Sequence, residues 1–146
     1  MFTDRFVSRC LVATAAMNVV AGLAAISAPA LHADLMFADG VELQGVLLRF
    51  HVMLWLFVIA LGLGYALAAR DPSGQRPLLI AGGLGKLAAA AVWLELLVSG
   101  IGAPLMAAGV AWDGVLGAIF LAHAWRGPRV GAGGPPQDQP TAPSVR

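Results

Sequence analysis

The stretch GGLGKLAAAAVWLE, residues 82–95, decides how the chain is read. It is apolar on both sides of Lys86 and closes on Glu95. A soluble helix would alternate such residues with a polar face. Here nothing polar interrupts Leu87 to Leu94, so the segment reads as a helix apolar all round, the pattern of a buried or membrane-spanning helix. The rest of the chain supports the second choice. Of 146 residues, 59% are hydrophobic and only 12% charged, about half the usual share of roughly 25% in soluble domains. Four such helices in a soluble chain of 15.0 kDa would leave large apolar faces in water.

A bilayer crossing needs about 20 mostly apolar residues. Four segments qualify, at about 7–27, 46–69, 78–98 and 104–125. Their separators carry loop chemistry: SAPALHADLMFADGVELQ after the first, RDPSGQRP (70–77) after the second, SGIGAP (99–104) after the third. The fold class expected is therefore all-α, a polytopic membrane protein built as a four-transmembrane-helix antiparallel bundle over residues 1–126. The remainder, 127–146, is rich in Gly and Pro and is expected to be a disordered cytoplasmic tail. The first run resembles a signal peptide only superficially; its apolar length is nearer that of a span, so SAPA at 27–30 is not read as a cleavage site.

Positive charges set the direction. Arg5 and Arg9 precede the first span, Arg70 and Arg76 lie between the second and third, and Arg126 and Arg129 follow the fourth. All fall on one side of a four-span bundle, and Asp34, Asp39 and Glu42 fall on the other. By the positive-inside rule both termini of this multi-pass protein belong in the cytoplasm.

Polar residues inside the spans are costly in lipid, about 2.5–3.5 kcal/mol for a central charge, so each must face protein or water. Counting about 1.5 Å per residue from the cytoplasmic ends places Lys86, Asn18 and Asp113 roughly 12–20 Å deep. They form a candidate central polar layer or ligand site. Glu95, His51 and Arg49 fall roughly 25–30 Å deep, a candidate outer tier. Lys86 and Glu95 are about half a turn apart on one helix and are not a pair. Lys86 is expected to meet Asp113 or Asn18, and Glu95 to meet Arg49 or His51. Glycines beside these positions (Gly22, Gly62, Gly109, Gly117) would let the helices approach closely.

Several chemistries find no support. AGGLGKL lacks the Ser or Thr that a phosphate loop places after its lysine, and it lies within an apolar span. His51 and His123 lie near opposite faces, too far apart to clamp one haem iron. His32 in the outer loop could approach His51, and a metal site drawing on Asp34 and Glu95 as well is conceivable but lacks characteristic ligand spacing. Cys10 is the one cysteine, which rules out a disulfide within the chain. Neither a catalytic serine nor a basic stripe for nucleic acid is present. Trp55, Trp93 and Trp112 lie deep, and Trp125 suits an interfacial belt. No catalytic residue, metal or defined cofactor is expected.

The hairpin GYALAARDPSGQRPLLIAGGLGKL (64–87) and the segment AWDGVLGAIFLAHA (111–124) resemble small bacterial four-span proteins of the DoxX-like kind. The resemblance covers about half the chain and implies a four-helix bundle in the inner membrane, sometimes linked to redox or quinone-related operons. It would make Arg70, Asp71, Pro72, Gly85, Lys86 and Asp113 the signature positions. Three functions stand open. The first is a non-enzymatic accessory or assembly subunit in contact with the bilayer and with either a second copy or another membrane subunit. The second is a small proton-coupled transporter or channel component, with Asp113 or Glu95 as coupling group. The third is a quinone-binding, redox-associated protein using His51 and Trp55.

Overall fold

The computed structural model describes residues 2–125; the tail expected at 127–146, with Arg126 and Arg129, lies outside the described residues. The described residues form five helices: α1 (Asp4–Ser27), α2 (Pro29–Met36), α3 (Gly45–Ala68), α4 (Arg76–Val98) and α5 (Met106–Ala124). All but α2 are long and apolar enough to cross a membrane. The protein is thus an all-α membrane protein with four candidate spans.

Local chemistry explains the helix ends. Thr3 caps α1 by accepting the Phe6 amide at 3.2 Å, with Asp4 in the first turn. Ala28 leaves helical geometry, and Pro29 then opens α2 at a position where its missing N–H is no loss. This short helix lies in the segment expected to be a loop. At the α3–α4 turn, Asp71 accepts from Ser73 Oγ and from the Gly74 amide, both at 3.1 Å, and Pro77 starts α4. The end of α4 is a Schellman motif. The Ile101 amide donates to Leu96 O at 3.0 Å and the Gly100 amide to Leu97 O at 3.2 Å. Gly100 adopts φ +78°, which a side chain would resist.

The four long helices form two tight antiparallel hairpins, α1 with α3 and α4 with α5. Each is tied at the end where the chain begins. Ser8 Oγ donates to Ala69 O at 2.6 Å, joining the start of α1 to the end of α3. Arg76 Nε donates to Ala124 O at 2.8 Å, joining the start of α4 to the end of α5. The hairpins meet each other mainly at this same end, where Val7, Leu11, Ala15, Tyr65, Leu79, Phe120 and Ala124 bury one another. Tyr65 lies over Gly82 and tilts against Phe120, ring centroids 5.5 Å apart. At the opposite end the chain after α2 joins the α4–α5 turn: the Ala38 amide donates to Ile101 O at 2.9 Å and Ala103 to Met36 O at 2.8 Å. Each hairpin is therefore fastened to the other at both ends of the bundle. Large apolar side chains such as Val20, Leu47, Phe57, Leu67 and Val98 face outward, an extended apolar surface of the kind that lipid contact covers.

Candidate functional site: a lysine–aspartate pair between two helices

The α4–α5 interface places the charged pair. Gly83 and Gly117 meet where the two helices cross: a Cβ on Gly117 would stand 2.9 Å from Gly83 O, and one on Gly83 would stand 3.1 Å from Gly117 O. A side chain at either position would force the helices to shift. Because the helices run antiparallel, three residues on from Gly83 and four back from Gly117 lie at one level, one turn farther from the chain termini. Those residues are Lys86 and Asp113. Lys86 Nζ lies 2.5 Å from Asp113 Oδ1, with the two side chains 8% and 15% exposed. Small neighbours let the backbones come close enough to shield the pair from lipid, the arrangement that makes an intramembrane ion pair tolerable.

Asn18 belongs to the other hairpin. Its Nδ2 donates to Val58 O at 3.3 Å, and Gly62 packs against its Cβ. The expected three-residue layer therefore divides into a charged pair in α4–α5 and an amide-to-backbone bond in α1–α3. Lys86 meets Asp113 and does not meet Asn18.

The outer tier is not assembled as expected. Arg49 and Glu95 are exposed. Among the described residues the acid–base contacts within 4.0 Å are the Lys86–Asp113 pair and His123 Nε2 with Asp4 Oδ1 at 3.6 Å, so Glu95 is paired with neither Arg49 nor His51. The reason is helical phase. The α4 face that buries Lys86 is held against α5, and Glu95, half a turn away, is turned out of the bundle. His51 and Arg49 also point to different sides of α3. His51 faces α1, where its Nε2 lies 3.1 Å from Ala25 O, and its ring stands 5.1 Å from that of His32. The wider metal set drawing on Asp34 and Glu95 does not form: no cluster of three or more His, Cys, Asp or Glu exists among the described residues.

Three interactions had no advance signal. The Ser8–Ala69, Arg76–Ala124 and Asp4–His123 contacts each join a side chain to a group far away in sequence. Tyr65 is a partial exception. It is the one tyrosine in the chain, in an otherwise apolar span, and its ring is the largest fully buried side chain.

Chemically, the Lys86–Asp113 pair is self-satisfying. An ammonium held by a carboxylate has no lone pair with which to attack a substrate. The carboxylate, already occupied by the lysine, is a poor partner for a passing cation. No family model matches the chain, and neither does any curated protein or solved structure.

Proposed function

We propose that this small membrane protein is a non-enzymatic accessory or assembly subunit of a bacterial inner membrane, with both termini cytoplasmic. One observation carries this reading: the intramembrane charges Lys86 and Asp113 neutralise each other within a single hairpin. A proton-coupled carrier needs a carboxylate that alternately gains and loses its proton beside a substrate. Asp113 is held instead by a neighbour on the adjacent helix, and Glu95 lies on the outer face of α4. The pair joins α4 to α5 and gives that hairpin a defined register, a recognised use of buried charges. The resemblance of 64–87 and 111–124 to DoxX-like proteins supports the same architecture, with Lys86 and Asp113 among its signature positions.

Proteoliposomes containing a pH-sensitive dye test the reading. The wild-type protein should pass no more protons than protein-free vesicles under an imposed gradient. A proton flux that Asp113→Asn abolishes while the protein still inserts and folds would replace this proposal with the transporter.

A further inference from the structure

At the end of the bundle remote from the chain start, His32 on α2 and His51 on α3 face one another. Their ring centroids are 5.1 Å apart and their planes 61° apart. Trp55, one turn along α3 and buried, packs edge-on against His32 at 4.9 Å and stands 6.3 Å from His51. This cluster takes no part in the Lys86–Asp113 pair or in the hairpin ties.

The hydrogen bonding determines which nitrogens are free. His51 Nε2 lies against the Ala25 carbonyl. A carbonyl only accepts, so Nε2 carries the proton, and in the neutral ring the lone pair is on Nδ1. On the other ring, His32 Nδ1 is buried and has no hydrogen-bond partner. A buried polar atom left unpartnered in a native fold calls for an explanation. The Ala25 contact has the form commonly seen behind a metal-bound histidine: the distal N–H donates to a backbone carbonyl and fixes both the tautomer and the ring orientation.

We infer that His32 and His51 form a two-coordinate site for copper(I), with Trp55 beside the ion. Imidazole nitrogen suits copper. Two metal–nitrogen bonds of about 2 Å each put the nitrogens about 4 Å apart, so the rings, edge-to-face with centroids 5.1 Å apart, turn on binding to aim both lone pairs at one ion. The choice of ion follows from ligand number and charge. Zinc favours three or four ligands, and among the described residues no third His, Cys, Asp or Glu completes a cluster here. A monovalent ion satisfied by two nitrogens needs no further donor, and a single positive charge costs less to bury than a double one. The indole of Trp55 adds an aromatic surface of the kind that attracts cations. Asp34 and Glu42 line an open cavity of about 470 Å³ between α2 and the start of α3, at the same end of the protein, and would draw cations toward it. Each ligand binds through the lone pair of a neutral imidazole nitrogen.

The full-length protein in detergent, with copper held as copper(I) by ascorbate, is titrated against the chromophoric chelator bicinchoninate. One ion per chain should be withdrawn from the chelator, with quenching of tryptophan emission that is reduced in Trp55→Phe. His32→Gln and His51→Gln should each weaken binding about tenfold or more. X-ray absorption on the copper-loaded wild-type protein gives a readout independent of the variants' folding, and should show a two-coordinate ion with nitrogen neighbours. Failure to compete with the chelator, full binding by a folded His32→Gln/His51→Gln protein, or sulfur neighbours at the copper would overturn the assignment.

Discussion

Lys86 and Asp113 differ from every other polar residue in the spans because each would be strongly unfavourable without the other. Removing one partner of a buried pair leaves an uncompensated charge and typically costs about 3–5 kcal/mol, whereas replacing both with apolar side chains is often neutral. Lys86→Met is therefore expected to lower the stability of the folded protein by about 3 kcal/mol, measured by reversible unfolding in mixed micelles. His32 carries a prediction of the opposite electrical sense. Burial, and secondarily the neighbouring His51, holds its imidazole below the ordinary value of 6.5. The folded state thus binds a proton less readily than the unfolded state. Stability from this group is constant above 6.5 and falls as the pH drops from 6.5 toward the lowered folded value. Amides of α2 should accordingly exchange with deuterium faster at about pH 5 than at about pH 7.5, relative to those of α1, after correction for intrinsic exchange. His32→Gln should reduce that difference.

Among the elements, the α4–α5 hairpin depends on a glycine contact and not on side-chain bulk. Gly117→Leu would drive a side chain into Gly83 O and Leu87, and overpacking of this sort costs about 1–3 kcal/mol. At Gly85, exposed on α4, a Cβ meets nothing within 4 Å, so Gly85→Leu should hold or raise the unfolding midpoint through its better helix propensity. The contrast between these two variants in a thermal melt isolates helix contact from helix propensity. The spans themselves were legible because about 20 apolar residues in a row can hardly be anything but a buried or lipid-facing helix. The eight residues of α2 were not, since two short apolar turns after Pro29 look the same as a loop. The shared level of Lys86 and Asp113 was legible from counting along their spans. Which helix neighbours which was not, because depth is a coordinate along the helix and says nothing of lateral position. Asn18 consequently fell to Val58 on α3 and not to Lys86. The phase argument did separate Glu95 from Lys86, but it could not say that the face carrying Glu95 would be left outside the bundle.

For the whole molecule, arginines predominate at one end and acidic residues at the other, with Asp4 and Asp71 among the former and Arg49 among the latter. Arg5, Arg9, Arg70 and Arg76 lie with the chain start, and Asp34, Asp39 and Glu42 lie with the α2 loop. The two hairpins are tied together at both of these ends, by the Tyr65–Phe120 core at one and the Phe37–Gly102 bridge at the other. A protein inserted as proposed presents the α2 end outward. In a Cys10→Ser background, an impermeant maleimide applied to intact spheroplasts should label Asp39→Cys and spare Ser73→Cys, with both labelled after lysis; the reverse pattern would invert the proposed orientation. The most direct test of the central claim remains the charged pair that joins α4 to α5. A double-mutant cycle on Lys86→Met and Asp113→Leu, read by unfolding in bilayer-mimicking micelles, should give two destabilised single variants and a double variant restored close to wild type. Single changes that leave stability untouched, or losses that simply add in the double variant, would contradict a pair whose members are buried for each other's sake.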